Sequence, residues 1–244
     1  MELFGHKLSD AAIAFKEKFE PLLDKPHKYK RLPGNFKNFG NMEIINDEYV
    51  IRAKANVLSK SFEATICHEL YHAYQFSRGF PTVACIDPYS PSAIEYIERL
   101  RSNILDLSAE KAITDHGLDN SHVVNGRLDE MESLIQVKFK NINEFNERLL
   151  AVDLLLDIKL FEPDKAMYIL KCLKKWLPPV YERYNHHKVW IEKFGYDTPL
   201  GCFAIFGHIV NDMKLWSFCR IEHAGEMIYS QPHFERSLAS AFKL

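Results

Sequence analysis

The sequence predicts an α+β fold that is mostly helical: a small β-sheet packed on one central helix, followed by a helical C-terminal half. Three observations predict it. Met42 to Ile45 and Glu48 to Ala55 are rich in β-formers, with Asn46-Asp47 as a turn between them. Ser59 to Pro81 follows directly and reads as one capped, amphipathic helix. From Asp119 onward the apolar residues recur with the helical period, broken only at Pro and Gly.

Taken in order, Ser9 to Leu23 is expected to be a helix. Ser9 or Asp10 caps it, Ala12, Ile13, Phe15, Phe19 and Leu22 supply its apolar positions, and Pro21 and Pro26 end it. A loop containing Pro33-Gly34 and Phe39-Gly40-Asn41 leads into the hairpin. In the helix after it, Ser59 or Ser61 is placed to cap, Phe62, Ile66, Leu70 and Ala73 form one apolar stripe, and Gly79 and Pro81 stop the helix. A loop from Phe80 to Pro91 follows, containing Asp87-Pro88. Ser92-Ala93-Ile94-Glu95 reads as a capping box at the head of a long helix over residues 93–115, ended by Gly117. Further helices are expected at 127–140, 143–161, 164–177, 180–194, 199–218 and 234–242, with Pro199 at a first helical position.

Within the helix after the hairpin stands His68-Glu69-Leu70-Tyr71-His72, an HExxH pattern. His68 and His72 are four residues apart and share a face other than the apolar stripe. Two imidazoles at that spacing can reach one ion, and neutral imidazole is a good zinc ligand. Glu69 is rotated about 100° from His68, so it flanks the ion without having to bind it. With 11 His in 244 residues, the pattern arises by chance in roughly 4% of such chains. The plain alternative is a helix with two surface or core histidines. The mid-helix position, the preceding β-like stretch and a third ligand downstream count against it.

The third ligand is sought on the long helix. Glu95 with Arg99, and Lys111 with Asp115, are ordinary i,i+4 pairs. Asp106 and Glu110 are also four apart, but both are acidic and no cation neighbours them on the helix. Like charges at this spacing are unfavourable by about 0.2–0.5 kcal/mol even when solvated. A bound cation removes that penalty.

HELYH, with Asp106-Leu107-Ser108-Ala109-Glu110 downstream, resembles the zincin metallopeptidases, specifically the gluzincin group. The resemblance covers residues from about 42 to 117. It implies that His68 and His72 bind zinc, with Glu110 as third ligand. Glu69 then takes the proton from the zinc-bound water and passes it to the leaving amine. In that group the ligand Glu is followed four residues later by an Asp; here Thr114 stands there, and the next acid is Asp115. The other register makes Asp106 the ligand and Glu110 its supporter, and both registers stay open. An HExxHxxGxxH run is absent, since Gln75 and Gly79 stand where Gly and His would be needed. His116 and His122 are candidate oxyanion donors or simple capping and loop histidines. Tyr71 and Tyr74 read as packing residues, and His186, His187, His208, His223 and His233 as structural.

Composition bounds the rest. With 47% hydrophobic residues the chain can bury a substantial core. A net charge of −2 with pI near 6.6 gives no electrostatic case for nucleic acid. The basic runs His27 to Arg31 and Lys171 to Lys175 read as solvated helix or loop faces. No secretory signal and no membrane span is read from the sequence. The five cysteines are odd in number and widely spaced, so they read as reduced thiols in a cytoplasmic protein. The chain divides softly into a catalytic region, 1–120, and a helical region, 121–244, or forms one domain. The expected activity is hydrolysis of a peptide or protein substrate with Zn2+. The competing readings are a zincin-like module with a structural or vestigial metal, and a metal-free helical interaction protein.

Overall fold

The computed structural model describes residues 1–33, 39–87, 89–140 and 142–242. Among them the fold is α+β and mostly helical, with small sheets. Gly34 and Pro88, expected in loops, lie outside the described residues. The chain forms two compact units, Met1–Arg78 with Ser108–Asn125, and Gly79–Leu107 with Gly126–Leu244.

The first unit opens with a two-stranded ribbon, β1 (Glu2–Leu3) and β2 (His6–Lys7), and helix α1 (Asp10–Phe19). The Ser9 hydroxyl caps α1, accepting from the Ala12 amide. A 3-10 turn, Glu20–Leu22, carries Pro21 and ends the helix. Three strands follow: β3 (His27–Arg31), β4 (Gly40–Ile45) and β5 (Glu48–Ala53). The order is β3-β5-β4, with β5 parallel to β3 and antiparallel to β4. Asn46 and Asp47 turn the hairpin with φ of 52° and 61°, the left-handed pair that a two-residue turn needs. Central β5 buries Val50, Ile51 and Ala53 completely. The basic run His27–Arg31 is thus strand β3 rather than a helix or loop face. It lies at the sheet margin, where Lys and Arg side chains run out to solvent while the backbone pairs inward.

Helix α2 (Ser59–Ser77) lies against this sheet. Phe62, Ile66, Leu70 and Ala73 are fully buried in one cluster with Phe15, Phe19, Tyr49 and Ile51. Tyr71 and Tyr74 pack against that cluster, as expected. Neither Ser59 nor Ser61 caps the helix; the N-cap is Leu58, without a side-chain bond. Glu63 ties the helix head to α1 instead, accepting from the Ser9 amide at 2.8 Å and its hydroxyl at 2.7 Å. Helix α3 (Pro91–Asp115) is continuous and gives its last turns, from Ser108, to this unit. Its head is capped at Ser90, whose hydroxyl accepts from the Ala93 amide, two residues before the expected box.

The second unit is built from α4 (Ser121–Gln136), which begins in the first unit, then α5 (Glu144–Leu160), α6 (Pro163–Trp176), α7 (Pro178–Phe194), α8 (Pro199–Asp212) and α9 (Gln231–Phe242). Pro sits at the first helical position of α6 and α8, and the Thr198 hydroxyl caps α8. A second sheet, absent from the sequence reading, joins β6 (Thr82–Cys85), β7 (Cys219–His223) and β8 (Glu226–Ile228) in antiparallel order. The stretch after α8 therefore turns into a hairpin through Ala224 and Gly225, at φ 52° and 79°. Its core gathers Leu154, Ile169, Leu173, Val180, Phe203, Phe206 and Phe234. Among the described residues no helix is long and apolar enough to cross a membrane.

Candidate metal centre

The stripe that buries one side of α2 turns His68, Glu69 and His72 to another side, where all three are half-buried. The two imidazole planes stand at 84° with centroids 4.6 Å apart, and their Nε2 atoms meet at 3.0 Å.

The far side of each ring is held. His72 Nδ1 lies 2.7 Å from Gln75 Oε1, one turn along α2. Gln75 is buried and its Nε2 donates to Ser108 Oγ at 2.7 Å. With the amide oxygen toward His72, a group that only accepts, the matching tautomer of His72 carries its proton on Nδ1. His68 Nδ1 lies 3.0 Å from Glu110 Oε1. The second carboxylate oxygen, Oε2, accepts from Asn120 Nδ2 at 2.7 Å. An ionised carboxylate also accepts only, so it matches the His68 tautomer with its proton on Nδ1.

With Nδ1 of each ring backed by an acceptor, the Nε2 atoms are the ones turned toward a common point, as two ligands of one ion are. Two nitrogens on a tetrahedral zinc at 2.0–2.1 Å stand about 3.3 Å apart, close to the spacing observed. The backing by a carboxylate and an amide is the support that metal-bound histidines receive. The donor set therefore fits zinc.

Both acids of α3 are buried, Asp106 at 7% exposure and Glu110 at 4%. Ser102 Oγ donates to Asp106 Oδ2 at 2.9 Å. Because α3 is one unbroken helix, Asp106 is fixed one turn before Glu110. His68, His72 and Asp106 each offer a ligand atom, and these atoms lie within 4.8 Å of one another, the one such group of three among the described residues.

Glu69 meets the sheet. A Cβ on Gly40, the first residue of β4, would stand 2.6 Å from Glu69 Oε1 and 2.5 Å from the Thr65 methyl. Only glycine leaves room there for the Glu69 carboxylate. Gly40, expected in a loop, opens β4 instead, and no sequence motif announces Gln75, Ser108, Asn120 or Gly40. Gln75 does carry a local signal, being three residues after His72 on the same helix. Ser108 and Asn120 are legible only once α3 lies beside α2.

His122 and His116 part company. His122 Nε2 lies 3.4 Å from Thr65 Oγ1, and its ring meets Phe39 edge-on; burial lowers its pKa. Thr65 is one turn before Glu69, so His122 borders the site. His116 donates from Nδ1 to the Ala112 carbonyl at 2.7 Å and packs its ring on Phe15 and Phe19. That is a helix-end packing role. Cys67 is fully buried, and burial pushes its thiol up to about 12, as suits a structural thiol. In the second unit His187 and His233 meet acids, Asp212 at 3.0 Å and Glu226 at 2.7 Å, in pairs that the sequence spacing did not suggest.

No family model matches the chain, and none of the curated proteins or solved structures compared with it matches either.

Proposed function

We propose that the chain is a zinc-dependent peptidase that hydrolyses a peptide bond in a peptide or protein substrate. The observation that carries this reading is the meeting of His68 Nε2 and His72 Nε2 at 3.0 Å with both Nδ1 atoms backed by acceptors. His68, His72 and Asp106 would hold the ion. Glu110, expected from the sequence as the third ligand, is given the supporting role, because its two oxygens already serve His68 and Asn120. Zinc, when bound, supplies a Lewis acid that lowers the pKa of water and polarises a carbonyl.

The chain's own residues supply the rest. Glu69 takes the proton from the attacking water and returns it to the leaving amine, the two tasks of a general base and acid. Gly40 and the Thr65 methyl bound the space in which that carboxylate stands. Gln75 and Glu110 back the imidazoles at Nδ1, so that Nε2 is the atom each ring would turn to the ion. An intact Glu beside the first histidine favours catalysis over a purely structural site, which does not need it.

The test is metal content by mass spectrometry on protein purified without chelators, with hydrolysis of a mixed peptide library read beside it. About one zinc per chain with cleavage that Glu69→Gln abolishes is the expected result. Zinc without cleavage would point to a structural metal. Absence of zinc even after adding it back would sink the reading and leave a helical binding protein.

A further inference from the structure

We propose that Cys85 and Cys219 form an oxidation-sensitive thiol pair, a site at which a hydroperoxide links β6 to β7 through a disulfide. The two residues are direct partners in the antiparallel β6–β7 ladder. Their place in the hydrogen-bond pattern sets how close they come. The next pair, Ile86 and Phe218, is hydrogen-bonded, with the Ile86 amide donating to the Phe218 carbonyl at 2.8 Å. Pairs alternate along an antiparallel ladder, so Cys85 and Cys219 form a non-hydrogen-bonded pair. In such a pair the Cα atoms stand about 4.5 Å apart and both side chains leave the same face. That separation lies inside the range of about 4.4–6.8 Å over which a disulfide closes without moving the backbone.

The face is the apolar one. Val83, two residues before Cys85, and Ile221, two residues after Cys219, are paired and buried on the same side. Cys219 is fully buried, whereas Cys85 is half-buried at the strand end, donating from Sγ to the Asp87 carbonyl at 3.4 Å. Burial, with Cys85 beside it, pushes the Cys219 thiol up to about 12. The two thiols therefore have different parts. Cys85 is the one an oxidant reaches, and Cys219 resolves.

The steps balance as follows. The Cys85 thiolate attacks one oxygen of the hydroperoxide, the O–O bond breaks, and Cys85 becomes a sulfenic acid as hydroxide (or alkoxide) departs and takes up a proton. Cys219 then attacks the Cys85 sulfur, the S–O bond breaks, and water leaves with the Cys219 proton. The two thiols lose two protons and two electrons in all, and the peroxide takes them up as it is reduced to water, or to an alcohol and water. The high pKa of the buried partner makes the second step the slow one, so the sulfenic acid on Cys85 precedes the cross-link.

The experiment treats the reduced, folded full chain with hydrogen peroxide, blocks remaining thiols before unfolding, and maps peptides by mass spectrometry. The expected product is a Cys85–Cys219 cross-linked peptide, two hydrogens lighter than the thiol pair and reversed by dithiothreitol. In Cys219→Ser the sulfenic acid on Cys85 persists and is captured by a 1,3-dione probe. In Cys85→Ser, Cys219 stays reduced. A wild-type map without the cross-link, or oxidation of Cys219 in Cys85→Ser at the wild-type rate, overturns the proposal. Circular dichroism of both serine variants establishes that each is folded.

Discussion

Glu110 Oε1 stands 3.0 Å from Nδ1 of His68, on the side of the ring away from His72. A carboxylate in that position orients an imidazole and makes it a stronger ligand. In the proposed metal site it gives the two acids of α3 different roles, and the difference is measurable. Glu110→Gln keeps an acceptor for His68 and is expected to retain zinc with affinity about 10–100-fold weaker. Asp106→Asn removes a charged ligand and is expected to lose zinc at the same free concentration. Competition with a chromophoric chelator reads both. The reverse order, with zinc lost in Glu110→Gln and kept in Asp106→Asn, would restore Glu110 as the ligand.

Glu69→Gln is expected to keep the full zinc content while kcat falls by about 10²–10⁴-fold, the usual contribution of a general base. A fully active variant would remove Glu69 from the mechanism.

Gly40→Ala is expected to spare the metal and impair hydrolysis. The added methyl would stand 2.6 Å from Glu69 Oε1, and displacing a catalytic group by about 1 Å loses about 10²-fold. The overpacked sheet edge should also cost about 1–3 kcal/mol of stability. Unchanged kcat/KM with unchanged zinc would show that Glu69 has room to move aside.

In the second unit, His187 is fully buried and lies against Asp212, with His186 and Arg183 as the other charged or titratable neighbours. Burial lowers its pKa more than Asp212 raises it. A histidine whose folded pKa lies below the unfolded value of about 6.5 takes up its proton more readily when unfolded. Its stabilising contribution is therefore present above that value and is lost as the pH falls through it toward the folded pKa. The hydrogen bond from His187 in turn lowers the pKa of Asp212, whose contribution is lost further down in acid. His187→Gln is expected to be less stable at pH 8, with a Tm that falls less between pH 6.5 and 5 than that of the wild type. Parallel Tm curves would show that His187 does not titrate differently on folding.

Much of this arrangement is legible in local sequence. The stripe Phe62, Ile66, Leu70, Ala73 announces α2, and the same period sets His68 and His72 together. Asn46-Asp47 announces the hairpin. The misses have physical causes. Strand β3 is a run of basic residues whose pairing with β5 depends on a parallel neighbour distant in sequence. Strands β7 and β8 did carry a signal, since Cys219, Ile221 and His223 alternate with Arg220 and Glu222 ahead of Ala224-Gly225. The helical period of the flanking segments outweighed it. The separate roles proposed for Asp106 and Glu110 were not legible, because both sit on one helix face at ligand spacing. Only the partner of each oxygen distinguishes them.

Gly40 leaves Glu69 its space by lacking a side chain, a matter of shape and not of charge. Ionic strength screens attractions between charges and leaves such a wall untouched. The wall on this side of Glu69 should thus hold in dilute buffer and in concentrated salt alike. In the proposed peptidase, a salt dependence of hydrolysis would then report on how charged substrates arrive, since the placing of Glu69 against β4 adds nothing to it.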